Sequence, residues 1–282
     1  MVPAARSPLL WRGVAARTAI HLPLFGLTIS DTTVAAASQS LVTAARSAQP
    51  VRVVFANAHV VNEMSARPAY RAVVASADRV YADGSGLAVA ARLAGQPLAD
   101  NVNGTDLFPR LAADAIAAGV KIFLLGGRPG AADAARQRMI SFGLGDALCG
   151  SHHGFFAPGS AAEDAAITAI NASGAGIVLV GMGVPLQDEW IATHAGRIGA
   201  PVLAGVGGLF DFFAGSVSRA PHAFRVVGCE WFWRLTQEPR RMARRYLVGN
   251  GRFLALAVQE AVRLRIARGQ LAPQINEIPA VR

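Results

Sequence analysis

Lysine is all but missing from this chain: Lys121 is the only one, so a net charge of +9 rests almost wholly on arginine. A GC-rich genome produces the same bias, so the choice of cation identifies no partner by itself. Cysteine is nearly as scarce. Cys149 and Cys229 stand alone, without metal-ligand spacing, and read as two free or buried thiols in a reducing compartment. Charged residues make up only 16% of the chain against 52% hydrophobic, which excludes a disordered or fibrous protein and allows a sizeable core. Long hydrophobic runs are lacking too. Ala165–Gln187 carries no charge but is broken by Asn171, Ser173, Pro185 and several glycines. It reads as a helix end followed by a buried strand, and no membrane-spanning helix is predicted. The apolar run Pro8–Trp11 is too short for a signal-peptide core, so residues 1–20, with Arg6, Arg12 and Arg17 and no acid, read as a basic N-terminal extension. There is no internal repeat and no low-complexity linker.

What is present is an alternation of short apolar β runs with Ala-rich helical stretches, the pattern of a parallel sheet covered on both faces. Strands are predicted at Leu22–Ile29, Val51–Ala56, Arg79–Tyr81, Lys121–Leu125, Ile177–Gly181 and Val202–Val206. Helices are predicted near Thr33–Ala45, Gly86–Leu93, Leu107–Ala118, Ala131–Ser141, Ala161–Ile170 and Leu186–Ile198. The fold class is therefore α/β: a Rossmann-like sheet over residues 21–221, then a basic helical appendage over 222–270 and a tail over 271–282.

Three glycine-rich turns come directly after strands, at Gly126-Gly127, Gly181-Met182-Gly183 and Gly205-Val206-Gly207-Gly208. Glycine at the carboxyl end of a parallel strand lets backbone N–H groups approach a phosphate. It also serves simple turn geometry. Asp146, about twenty residues beyond the first turn, would suit a dinucleotide fingerprint, but Pro129 breaks the usual spacing, so a nicotinamide oxidoreductase is only a third reading. Asp83 directly follows a strand, where a carboxylate can serve as general base or cap the helix near Gly86. Gln187 opens a helix and can hydrogen-bond a base or a sugar hydroxyl, while Asp188 and Glu189 suit the positive end of that helix. Asp211 lies in an apolar run and needs either a partner or a site to face. His152 and His153 read as loop residues, and no metal site is visible.

Beyond Pro221 come Phe224, Trp231, Phe232 and Trp233, and then eight arginines with a single acid, Glu260, between Arg240 and Arg268. Arg240, Arg241, Arg244 and Arg245 recur at helical spacing, ahead of apolar residues from Phe253 to Ile266. A solvated face, a nucleic-acid surface and a membrane surface are all open to such a segment. Arginine alternating with apolar residues suits the membrane best, and no nucleic-acid module is present.

Together these segments resemble the WecG/TagA/CpsF glycosyltransferases from about Leu22 to Phe253. The resemblance is carried by Leu24-Phe25-Gly26, Asn57-Ala58-His59, Ala82-Asp83-Gly84, Asn103-Gly104-Thr105-Asp106-Leu107, Phe123–Gly127 and Gly181–Gln187. Its most specific part is Gly205–Asp211, Ser218-Arg219-Ala220-Pro221, Glu230–Leu235 and Glu238-Pro239-Arg240-Arg241. It implies an inverting, metal-independent transfer, without a cofactor, from a UDP-sugar to a saccharide on polyprenyl diphosphate. The implied location is the cytoplasmic face of the bacterial inner membrane, bound peripherally, with a homo-oligomer as a candidate assembly. By resemblance Asp83 is the base, and Asn57, Gln187 and Asp211 line the nucleotide-sugar pocket with Gly126, Gly127, Gly183 and Gly207. Arg234, Arg241 and Arg244 close over the site. The chain departs from the family pattern at Phe55 (Thr expected), Asn101 (Arg expected) and Phe155 (Tyr expected). Those departures point to a different donor or acceptor, such as glucose in an exopolysaccharide repeat, or to a nucleotide-sugar binding protein with impaired catalysis.

Overall fold

The computed structural model describes residues 20–271. Apart from Ile20, the predicted N-terminal extension lies outside the described residues, as does the predicted tail beyond Leu271. One eight-stranded sheet organises the described chain: β1 (Ile20–Leu24), β2 (Leu27–Asp31), β3 (Val51–Ala56), β4 (Arg79–Ala82), β5 (Ile122–Gly126), β6 (Leu148–His152), β7 (Ile177–Gly181) and β8 (Val202–Gly205). The order across the sheet is β1-β2-β4-β3-β8-β7-β5-β6, with β1 antiparallel to β2 and every other pairing parallel.

The single strand predicted over Leu22–Ile29 is in fact this hairpin. Phe25 and Gly26, both at positive φ (57° and 74°), turn the chain in the middle of a continuous apolar run, so hydrophobicity alone hides the break. Strand β6 is absent from the sequence reading, because Gly150, Ser151 and His152 lack the β-branched signature and the strand sits at the sheet's edge. Two short helices, Ala58–Ala66 and Pro68–Ala75, are absent from it too. Each nonetheless has a local start signal. The Asn57 side chain caps the first, accepting from the N–H groups of His59 (3.0 Å) and Val60 (3.2 Å), and Pro68 opens the second.

Helices cover both faces, so the central strands bury alternate residues on opposite sides. Phe55, Tyr81 and Leu124 pack with Phe108, Leu111 and Phe210 under helices Val34–Arg46, Gly104–Ala118 and Leu209–Phe213. On the other face, Val54, Ala56 and Val80 pack against Val60, Met64 and Leu87.

The C-terminal helix Gly249–Leu271 belongs to that second core. Phe253, Ala257, Ala261 and Leu264 recur on one face and are buried in it. Gly86 allows the approach, since a Cβ there would stand 3.3 Å from the Phe253 ring. Glu260 fastens the same helix to the hairpin, accepting from the Phe25 N–H at 2.7 Å while Arg263 pairs with it twice at 2.8 Å. The same helix carries a second apolar stripe, Leu254, Val258, Val262 and Ile266, left 50–54% exposed.

Phe253→Ala is expected to cost about 3–5 kcal/mol of stability by removing a buried aromatic, and Leu254→Ala to stay within about 0.5 kcal/mol. Denaturant unfolding of the two variants checks this. An unaffected Phe253→Ala protein would mean that the helix does not pack on the core.

Candidate active site

Parallel pairing brings the carboxyl ends of β4, β3, β8, β7 and β5 to one edge of the sheet. Four interstrand steps of about 4.8 Å separate the outer two, so the edge spans roughly 19 Å. After β3 the chain builds β4 on one side and later strands on the other, so the crevice outside β3 and β8 is the topological switch point at which open α/β sheets bind ligands.

Asp83 stands at this crevice. Ala56 pairs with Ala82, which sets Asn57 beside Asp83, and Asn57 Nδ2 donates to Asp83 Oδ2 at 3.1 Å. The next helix is capped by Gly84, not by the Asp83 side chain, so the capping alternative drops out. Two contacts from the segment before Asn103 hold the turn: Asn101 Oδ1 accepts from the Gly84 N–H (2.8 Å) and the Val102 N–H donates to the Ala82 carbonyl (3.1 Å). Burial pushes the Asp83 carboxyl above the usual carboxylate range, the Asn57 hydrogen bond and the charges of Arg245 and Arg234 pull it back, and Asp106 adds to the rise. Nearby, burial and then the charge of Arg245 bring His59 down to about 4, so its imidazole is neutral at neutral pH.

The glycine turns divide into two kinds. Gly126 is a packing requirement, since a Cβ there would lie 2.5 Å from the Gly181 backbone, and a Cβ on Gly205 would meet the Asp188 carboxylate at the same distance. Gly183 and Gly207, by contrast, adopt positive φ (83° and 59°) with nothing within 4 Å of a would-be Cβ. Gln187 ties those two turns together: its Oε1 accepts from the Gly183 N–H at 3.2 Å and the Gly207 N–H at 2.8 Å, and the residue is buried. Its neighbour Asp188, pushed up to about 6 by burial, accepts from the Tyr70 hydroxyl at 2.6 Å.

The C-terminal segment supplies the cations. Arg234 lies against the Gly208 turn, 3.0 Å from where a Cβ would stand. Arg241 reaches Asp211 at 3.5 Å. Glu238 clamps both, at 3.3 Å from Arg234 and 2.9 Å from Arg241. Burial works against the Arg241 charge, but Glu238 and Asp211 outweigh it and hold the guanidinium cationic. The segment is anchored by Ser85, which donates to the Gly228 carbonyl at 2.7 Å, and by Asn62, which donates to the Gly249 carbonyl at 2.8 Å.

The sequence matches the model of the glycosyl transferase WecG/TagA/CpsF family over residues 22–267. The chain belongs to the WecG/TagA/CpsF glycosyltransferase family. Two relatives from Staphylococcus aureus, strains MW2 and NCTC 8325, are each named N-acetylglucosaminyldiphosphoundecaprenol N-acetyl-beta-D-mannosaminyltransferase. Each is 30% identical over 229 residues, covering 78% of this chain and 86% of the relative.

Membership in this glycosyltransferase family replaces the oxidoreductase reading, and the topology agrees. Asp146 lies just before β6, beside Lys121, whose Nζ donates to its carbonyl at 2.7 Å. That is the amino edge of the sheet, opposite the Gly126-Gly127 turn. Of the residues singled out in the sequence, Asn57 and Asp83 meet directly, and Arg234, Arg241 and Asp211 gather beside Gly207 and Gly208. Gln187 sits beneath the turns as their fastener, with its Oε1 committed to backbone, and Arg244 is exposed. Phe55 is buried and packs on Tyr81 with ring centroids 5.8 Å apart, while Phe155 is 64% exposed on the loop after β6. Glu238 and Arg245 join the site without having been given a role in it from the sequence. So does the ion pair of Arg219 with Asp106, which links two of the family motifs. The capping pattern Asn103-x-x-Asp106 was the available signal for Asp106, whose backbone N–H donates to Asn103 Oδ1 at 2.9 Å.

Gln187→Leu keeps the side chain's bulk but strands two backbone donors, at about 1–3 kcal/mol for each one left unsatisfied. Thermal unfolding is expected to show that loss, and an unchanged melting temperature would refute the fastening role.

Proposed function

We propose that this glycosyltransferase moves a sugar from a UDP-sugar to a saccharide on polyprenyl diphosphate, with inversion and without a metal ion. The observation that carries the reading is Asp83, a partly desolvated carboxylate at the switch-point crevice, bonded to Asn57 and faced by arginines from the C-terminal segment. In the proposed step an acceptor hydroxyl gives its proton to Asp83 as its oxygen bonds to the anomeric carbon. The bond from that carbon to the UDP oxygen breaks on the opposite face, so the configuration inverts. Charge then develops on the leaving diphosphate, where Arg234 and Arg241 are at hand to meet it. Gly183 and Gly207 leave room for the donor. The relatives' printed name, with its diphosphoundecaprenol acceptor, supports an acceptor of the same lipid-linked class here.

The departures at Phe55 and Asn101 do not favour the impaired-binder reading. Asn101 holds the Asp83-Gly84 turn through a hydrogen bond, and Phe55 fills core space. Asp83→Asn is expected to lower acceptor-dependent UDP release by at least about 100-fold while UDP still binds. Because the carboxylate is the active form, the wild-type rate rises with pH through the Asp83 pKa, which burial places above the ordinary carboxylate range. A variant that keeps both the rate and that acidic limb would remove Asp83 from the role of base.

We also propose that the enzyme binds the cytoplasmic face of the inner membrane peripherally. The support is the exposed stripe Leu254, Val258, Val262 and Ile266, extended by Leu247 and Val248 and accompanied by exposed Arg240, Arg244 and Arg252. An apolar ridge beside cations suits an anionic lipid surface. Among the described residues no helix is long and apolar enough to cross a membrane. Replacing Leu254, Val258, Val262 and Ile266 by serine is expected to abolish sedimentation with phosphatidylglycerol vesicles while leaving the fold intact. Undiminished sedimentation would assign lipid binding elsewhere.

A further inference from the structure

A pocket of about 360 Å³ lies away from the crevice, between the β1–β2 turn, the helix Ala58–Ala66 and the C-terminal helix. Its volume falls within the usual range of ligand pockets. Phe25, Val61, Met64 and Leu256 give it apolar walls, to which Ser65 and Arg71 add polar groups. The acids close by are already matched. Glu260 accepts from the Phe25 N–H and pairs with Arg263, and Glu63 pairs with Arg67 at 3.2 Å. Two cations are left over. The Arg71 guanidinium lies beside the turn, 3.7 Å from where a Cβ on Gly26 would stand, and Arg252 Nη2 donates to the Ser65 hydroxyl at 3.3 Å. Among the described residues neither has a carboxylate partner. Apolar walls beside unmatched guanidinium groups suit an amphipathic anion.

Position rules out the acceptor's own diphosphate. Ile29 pairs with Val80, so Phe25 and Asp83 stand seven residue steps apart along β2 and β4, roughly 20 Å. A diphosphate joined to the acceptor sugar must lie within one saccharide of the base, so the anion here is a different one. The C-terminal helix ties the pocket to the surface proposed to meet the membrane. Leu256, Glu260 and Arg263 lie on one flank of its buried row, Phe253, Ala257, Ala261 and Leu264. The exposed Leu254, Val258, Val262 and Ile266 lie on the other flank. A helix is only about 10 Å across, so one that rests on lipid along its apolar flank holds the pocket at headgroup height, where phosphate is the abundant anion.

We propose that this pocket binds one anionic phospholipid, its phosphate held by Arg71 and Arg252 and the start of an acyl chain laid against Val61, Met64 and Leu256. The site rests on the membrane reading above and adds a lipid-specific component to it. The probe is dihexanoylphosphatidylglycerol, kept below its micellar concentration and titrated calorimetrically into the full-length protein. Binding is expected, with dihexanoylphosphatidylcholine and inorganic phosphate each about tenfold weaker or more, because one has no net charge and the other no chain. Arg71→Gln and Arg252→Gln are each expected to weaken the anionic lipid about tenfold, the scale of a lost charge-assisted contact, and to leave UDP binding unchanged. Arg46→Gln, at an exposed cation ending a helix on the opposite face of the sheet, is the control and should change nothing. Equal affinity for the two lipids, or for phosphate and the anionic lipid, would overturn the site, as would unaltered affinity in both folded arginine variants. Failure of the membrane reading would appear separately, as wild-type protein that does not sediment with phosphatidylglycerol vesicles. With the four stripe residues replaced by serine, sedimentation is expected to be lost while the short-chain lipid still binds.

Discussion

The proposed chemistry depends on how much water is kept from Asp83. A fully solvated aspartate is too weak a base for a sugar hydroxyl, and a fully buried one stays protonated. Burial raises this carboxyl, while the Asn57 amide and the charges of Arg245 and Arg234 restrain the rise. Each of these influences comes from a different part of the fold. Asn57 is delivered by the register of β3 against β4, the turn is held by Asn101, and the arginines arrive from beyond residue 230. A one-residue slip between β3 and β4 would separate Asn57 from Asp83 and reverse which side chains face each core.

The C-terminal segment accordingly serves the core and the site together. Phe253 and Leu264 fill the layer beneath helix Ser85–Leu93, the helix that Asp83 and Gly84 lead into, so packing of the last helix and geometry of the proposed base are linked through one element. Gly86 makes that linkage sterically workable, because any side chain there would press on Phe253. Glu238 plays the corresponding part among the charges. By holding Arg234 and Arg241, four residues before it and three after, it keeps two like charges near one another without an external anion.

Much of this is legible in the sequence because it is written locally. Helix Ala131–Ser141 can be read to the residue, and β3 and β7 likewise, since their apolar runs end at clear glycine or asparagine signals. The hairpin Leu24–Leu27 cannot, because its turn lies inside an uninterrupted hydrophobic run. Asp83 and Asn57 are identifiable by motif. Their contact is not, since it joins residues 26 positions apart through strand pairing. Gln187 shows a role that sequence alone hides. A polar side chain at a helix start reads as a ligand contact, whereas its carbonyl oxygen is committed to two backbone N–H groups of neighbouring turns.

The arginine run shows where periodicity fails altogether. Helical spacing assigns Arg244 and Arg245 to one basic face, and that inference holds only while the helix keeps its α period. In the π-helical turn at Arg244–Val248 the two neighbours differ: Arg244 is exposed, while Arg245 is half-buried with its Nε out of solvent. Nothing in composition marks the change. It is marked by the pattern of partners: Arg234 and Arg241 are ion-paired with Glu238, whereas among the described residues Arg245 makes no ion pair. Reading charge by partner rather than by sequence position therefore separates the arginines organised around Glu238 from the rest of the run.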